Sequence, residues 1–373
     1  MKQFLRAAGF MGIAVVAQAC AATGTLDRVT MPTNVERPFV AGYHAYWTGD
    51  AWLDYPLDLL DELYVFELEA AGDGTILDAH GWPELWRPMI AAASTAGVQV
   101  VPVVSMHDPD AFEALFADAN RSGRLVDTIL AILGPSPALA GVHLDVEVFR
   151  PVSPRARDGY TAFVARLGNA MRALDPRLSL SVFVLAFDDD DVYNEAALGQ
   201  IADFLIVQGY DYHSMASENA GPVSALRGWG RLNWEHVVQR FDAFGVARDK
   251  IVMSVPLYGY EWPVESADRG ARTASAGVTV PYTAGDDVLP EAPRARARAD
   301  EYGIHRDPSS GSPFYVFETP EGWRQGWFED AESLRMKYDF VRAEGLGGVA
   351  LFPLGYGDSS VWAGLRGAFG ETR

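Results

Sequence analysis

The 373-residue sequence predicts an α/β fold, a (β/α)8 barrel with a small α+β insertion between its seventh and eighth strands. Three observations predict it. Eight short β-rich runs alternate with helical stretches, which suits a closed parallel barrel better than a doubly wound sheet. The fourth run, Ala-Gly-Val-His-Leu-Asp-Val-Glu, puts His143, Asp145 and Glu147 on one strand face and Val142, Leu144 and Val146 on the other. A stretch from Pro263 to Gly326, rich in Gly, Ser, Pro and Thr, then breaks the rhythm at a length that no plain loop of a compact domain has.

Taken in order, residues 1–19 read as an export signal. Lys2 and Arg6 supply positive charge, and Ala7 to Val16 form an apolar stretch too short for a comfortable membrane span. Small residues follow in Ala17-Gln18-Ala19-Cys20. Two processing routes stay open: cleavage after an Ala-x-Ala site, or acylation of Cys20, which resembles the lipidated cysteine of bacterial lipoproteins. Cys20 is the only cysteine, so no disulfide can form within the chain, and its place at this spot favours acylation. The expected location is therefore the bacterial cell envelope, through a lipid on Cys20, or the periplasm or medium if the signal is simply removed. Residues 20–37 lack periodicity and read as a tether.

The strand runs are Phe39–Trp47, Glu62–Leu68, Val98–Met106, Ala140–Glu147, Leu178–Phe187, Asp203–Tyr210, Lys250–Tyr258 and Gly348–Leu354. Between the fourth and fifth, Tyr160, Phe163, Val164, Leu167, Met171 and Leu174 recur at helical spacing. Asn233 is placed to cap a helix running toward Gly245. The run Asp188–Asp191 reads as an exposed loop, since four consecutive acids cannot all face one ion. The alternation Arg294, Arg296, Arg298 reads as a solvated face. Residues 263–326 read as an inserted subdomain of a barrel occupying 38–373.

Net charge is -20, which excludes nucleic acid as a partner because no basic stripe can neutralise phosphates. Ten Trp, fifteen Tyr and nineteen Phe are compatible with a sugar-binding cleft, whose apolar sugar faces lie against flat rings.

In a barrel, chemistry gathers at the C-terminal ends of the strands. That rule collects Glu147 from strand four, Tyr210 and Asp211 from strand six, Tyr258 with Trp262 beyond strand seven, Phe352 from strand eight, and Tyr43, Tyr46 and Trp47 from strand one. Two carboxylates stepped along one strand suit acid catalysis on a glycoside. The competing reading of each single aromatic is barrel packing. That of Asp145 with Glu147 is an acid pair bridged to Arg or Lys, and the strand's inner face offers no nearby cation.

At these residues the sequence resembles glycoside hydrolase family 18, the chitinase-like enzymes. Gly141 to Glu147 is similar to the signature Asp-Gly-x-Asp-x-Asp-x-Glu. Gly42-Tyr43, Ser105, Gln208-Gly209-Tyr210-Asp211, Val255-Pro256-Leu257-Tyr258-Gly259, Asp330 with Ser333 and Lys337, and Gly345-Leu346-Gly347-Gly348 follow in the family's order. Ala196 to Asp203 further resembles the branch of spore-cortex and cell-wall N-acetylglucosaminidases.

The resemblance implies cleavage of β-linked N-acetylglucosamine glycans, chitin or peptidoglycan, by the substrate-assisted retaining route in which the sugar's own acetamido oxygen attacks the anomeric carbon. It makes Glu147 the general acid and base, Asp145 the group orienting the acetamide, and Tyr210 a donor to the acetamide oxygen. Asp211, Gln208 and His143 would complete the polar floor, with Tyr43, Tyr258, Trp262 and Phe352 along the sugar. No metal or cofactor is implied, and a monomer is expected. The sequence departs from the signature at Ala140 and His143, and Phe352 stands where the family has a tryptophan platform. His143 is either a hydrogen-bond donor keeping Asp145 ionised or a satisfied core histidine. The departures leave a second function open, a chitinase-like carbohydrate-binding protein without catalysis.

Overall fold

The computed structural model describes residues 37–134, 138–285 and 288–370. The export signal, Cys20 and the tether up to residue 36 lie outside them. Eight parallel strands close into a barrel: β1 (Phe39–Ala45), β2 (Glu62–Ala70), β3 (Gln99–Met106), β4 (Gly141–Val146), β5 (Ser179–Val184), β6 (Phe204–Val207), β7 (Ile251–Pro256) and β8 (Gly348–Phe352). Each pairs with the next, and β8 closes onto β1. β4 is buried along its whole length, so its two polar side chains, His143 and Asp145, occupy the barrel interior only because they find partners or a cleft there.

The helices form where the apolar period allows. Pro154–Leu174 starts on a Ser153 cap, and Tyr160, Phe163, Val164, Leu167 and Met171 are its buried stripe, whereas Leu174 in the last turn is exposed. Trp234–Ala243 is capped by Asn233, whose side chain accepts from the His236 N–H. Ala331–Glu344 carries a reciprocal cap between Asp330 and Ser333 and stops at Gly345, whose φ of 64° lies in the left-handed region. Lys337 on that helix forms a fully buried 2.6 Å ion pair with Glu329.

Two strands stop earlier than their apolar runs. β6 ends at Val207, and Gly209 just beyond it lies against the Ser254 carbonyl of β7, where a Cβ would come within 2.0 Å. Tyr210 and Asp211 consequently sit on a loop. β7 ends at Pro256, and Tyr258–Val264 leaves the barrel as a strand of a separate antiparallel sheet with Val278–Pro281, Gly322–Trp327, Pro313–Thr319 and His305–Arg306. Helix Ala295–Tyr302 packs on that sheet.

The three alternating arginines are not a solvated face. Arg294 donates to the carbonyls of Gly285, Val288, Leu289 and Ala292, Arg296 pairs with Asp358, and Arg298 lies 3.4 Å from the buried Glu261. The acidic run points in several directions: Asp188 accepts from two backbone N–H groups, Asp189 pairs with Arg231 and Asp191 with Arg157.

Candidate active site

The C-terminal mouth of the barrel holds a cleft walled by Tyr43, Phe66, Asp145, Glu147, Phe183, Tyr210, Asp211, Tyr258 and Phe352. Residues from β1, β2, β4, β5 and β8, from the loop after β6 and from the start of the strand Tyr258–Val264 thus meet at one place. Glu147 follows β4 directly, and its backbone N–H donates to the Met106 carbonyl at 2.9 Å, which extends the β3–β4 ladder by one step. Asp145, only 4% exposed, lies one pleat below.

Burial in the low-dielectric barrel raises the Glu147 pKa well above the usual carboxylate range. The neighbouring Asp145 charge adds to this, as do Asp211 and Glu67, while His107 opposes it. Asp145 is itself pushed up to about 7, chiefly by burial. Two interacting carboxyls of this kind hold a proton between them near neutrality.

The loop after β6 supplies Tyr210 and Asp211. Asp211 adopts a φ of 58°, a left-handed conformation that aspartate tolerates better than most residues. Its Oδ1 accepts from the hydroxyls of Tyr258 at 2.8 Å and Tyr260 at 2.9 Å, which tie the loop to the start of the subdomain sheet. Phe352 packs at 6.2 Å from the Tyr210 ring and edge-on to Tyr43 at 5.4 Å.

Three residues expected at the sugar are elsewhere. Trp262 is completely buried and its Nε1 donates to the Ser214 carbonyl at 3.2 Å, because its strand has already joined the subdomain sheet. Gln208 is half-buried at the end of β6 and stays out of the cleft wall. His143 lies beneath the cleft, fully buried between Tyr43 and Ser181 at 2.9 Å each. It makes no hydrogen bond to Asp145, and both of its ring nitrogens have partners within the barrel.

A cation near the acid pair does exist. His107, just past β3, has Nε2 3.3 Å from Glu67 Oε2, and that bond, with the charges of Asp145 and Glu147, pushes its pKa up to about 9. Glu67 also approaches His80 at 4.0 Å, and the His80 ring stacks on Tyr46 at 3.6 Å. Phe66, Phe183, Glu67 and His107 carry no individual signal in the sequence. Position at a strand's C-terminal end was the one clue available.

The chain matches the family model "Glycosyl hydrolases family 18" over residues 40–357. It is 22% identical over 264 residues to the uncharacterized glycosylase YvbX of Bacillus subtilis, covering 69% of this chain and 70% of that one. It is 26% identical over 245 residues to the cortical fragment-lytic enzyme of Bacillus subtilis, covering 62% of this chain but only 50% of that one, so the match spans about half of that relative's length. A crystal structure of a chitinase from Chromobacterium violaceum superposes with a TM-score of 0.71 at 23% identity, over 90% of this chain and 100% of that one.

Proposed function

Because the chain belongs to glycosyl hydrolase family 18 and is a glycosidase, we propose that it cleaves β-linked N-acetylglucosamine polymers or oligosaccharides, in chitin or peptidoglycan, with retention of configuration. The observation that carries this reading is the pair Asp145 and Glu147 in the cleft, with the upper carboxyl kept protonated by burial and by the lower one.

Glu147, neutral at physiological pH, donates its proton to the departing glycosidic oxygen and later takes one from the attacking water. Asp145 accepts the acetamide N–H and offsets positive charge as the acetamido oxygen closes on the anomeric carbon. Its Oδ1 is buried and has no hydrogen-bond partner among the described residues, which suits an acceptor meant for substrate. The Tyr210 hydroxyl donates to the acetamide oxygen, and Asp211, fixed by two tyrosines, faces the same sugar. Phe352, Phe66 and Trp47 offer ring surface beside it; Trp47 lies 5.8 Å from Phe66 and 6.3 Å from Phe352.

The test is incubation of the purified chain with chitooligosaccharides and with peptidoglycan sacculi, alongside Glu147→Gln, with released sugars read by mass spectrometry. Turnover by the wild type that disappears in the variant is expected. Turnover surviving Glu147→Gln would overturn the acid assignment, and binding without turnover on both polymers would establish a carbohydrate-binding protein instead. Export with a lipid on Cys20 belongs to the same proposal; a free thiol at Cys20 in the mature protein would refute it.

A further inference from the structure

The backbone that carries Glu147 is held from two sides. Toward β3, its own N–H donates to the Met106 carbonyl at 2.9 Å. Toward β5 the neighbouring strand has already parted from it, since the paired register of β4 and β5 ends at Leu144 and Val182. A parallel strand continuing there would accept from one amide and donate to the carbonyl two residues before it. The hydroxyl of Tyr193 does both. It donates to the Val146 carbonyl at 2.6 Å and accepts from the Val148 N–H at 3.1 Å, so one side-chain oxygen brackets Glu147. Val146, Val148 and Tyr193 are all buried, and buried peptide groups of this kind need a partner.

Tyr193 is itself fixed through its backbone. Its N–H donates to one carboxylate oxygen of Asp188 at 2.8 Å, and the Val192 N–H donates to the other at 3.0 Å. Its carbonyl accepts from Arg157 Nε at 3.1 Å, and the same guanidinium holds Asp191 at 2.7 Å. Its ring lies edge-on to Tyr160 at 5.9 Å, on the helix Pro154–Leu174. The next residue, Asn194, caps the helix Glu195–Ile201. Asp188 and Asp191, two members of the acidic run after β5, thus shape the turn that delivers this hydroxyl beneath Glu147.

We infer that Tyr193 is a positioning residue for Glu147, its hydroxyl fixing the backbone on either side of that acid, and that Asp188 acts through it by anchoring its loop. The consequence for rate rests on the reading of Glu147 as general acid; the clamp on the backbone does not.

A general acid works only within hydrogen-bond reach of the atom it protonates, and a displacement of about 1 Å can cost about 10²-fold in rate. Glu147 stands just past the last residue of β4, where the ladder to β5 has stopped holding the chain. The Tyr193 hydroxyl takes the place of that ladder. Tyr193 is not part of the cleft wall, so removing its hydroxyl leaves the groups that face the sugar unchanged.

Tyr193→Phe deletes the hydroxyl and keeps the ring. Without substrate, the Val148 amide should exchange its hydrogen about tenfold faster or more in the variant, while the amides of β4 keep their wild-type rates. In turnover, two leaving groups separate a misplaced acid from general damage. For a chitooligosaccharide, whose departing sugar needs a proton, kcat/KM should fall about 10- to 100-fold. For the 2,4-dinitrophenyl glycoside of N,N′-diacetylchitobiose, whose leaving group departs as a stable anion, the fall should be less than about threefold. Asp188→Asn, which takes one of the two acceptors from the loop, should show the same contrast at smaller amplitude. A Val148 amide exchanging at the wild-type rate, an undiminished rate on the oligosaccharide, or equal losses on both substrates would overturn the inference. Absence of turnover in the wild type would sink the glycosidase reading alone, and exchange at Val148 would then decide the clamp.

Discussion

Ser105 of β3 lies in register with Asp145 of β4, and both side chains keep a buried oxygen, Ser105 Oγ and Asp145 Oδ1, without a hydrogen-bond partner among the described residues. Each such group costs about 1–3 kcal/mol when left unsatisfied. On the reading proposed above, these two oxygens of the barrel interior are the acceptors left for the polar atoms of a bound sugar.

Asp145→Asn removes the nearest like charge from Glu147, so the Glu147 pKa falls and its acid form is lost earlier. The alkaline limb of the kcat/KM profile is expected to move to lower pH, with kcat reduced by about 10²-fold or more through loss of charge stabilisation. A pH–rate series on a chitooligosaccharide reads both; a limb that stays in place would separate Asp145 from the ionisation of Glu147.

His107→Gln acts in the opposite direction. The protonated ring holds the pKa of both Glu147 and Asp145 down, so its loss should move the alkaline limb to higher pH. Because His107 keeps its proton up to about 9, the effect should be present across neutral pH and fade above that value. The same shift in the wild type above pH 9 and in the variant below it is the signature to look for.

Glu147→Gln should stabilise the fold at high pH. A carboxyl whose folded pKa lies above its unfolded value keeps its proton in the folded state while the unfolded chain has lost it. Stability therefore declines as pH rises from the ordinary carboxylate range to the raised folded pKa, by about 1.4 kcal/mol per unit of difference. Glutamine escapes that loss, so the gain in Tm should be near zero at pH 4 and appear by pH 8. Equal gains at both pH values would show that packing, and not ionisation, sets the difference.

The Lys337–Glu329 pair, 2.6 Å apart and completely buried, is a separate matter of stability. Lys337→Met leaves a buried carboxyl without its cation, and a loss of about 3–5 kcal/mol in urea unfolding is expected. Replacing both partners by apolar residues should recover most of it, since the desolvation cost disappears with the charges.

A substitution pair distinguishes the aromatics of the cleft from those of the subdomain. Phe352→Ala should raise KM through loss of ring surface at the sugar. Trp262→Phe should leave KM unchanged and lower Tm by a few degrees, because its ring and Nε1 are engaged inside the protein. A rise in KM for Trp262→Phe would return that residue to the cleft.

The sequence by itself determined the barrel and the acid pair. Parallel strands covered on both faces read as apolar runs, and a strand repeats every two residues, so His143, Asp145 and Glu147 could only share the inner face of β4. Spacing within one element is enough for that conclusion. Tertiary structure alone decided what each of them touches. His143 turned to Ser181 because β5 pairs with β4 in register at that residue, and to Tyr43 because the closing of the barrel brings β1 across its interior, contacts between residues 38 and 100 positions apart. Trp262 left the cleft because its strand paired with the subdomain sheet, and His107 became the cation near the acids because Glu67 of β2 accepts a hydrogen bond from its ring and so holds the proton on it. Local pattern carries face and period; partners come from closure, which no single run of residues encodes.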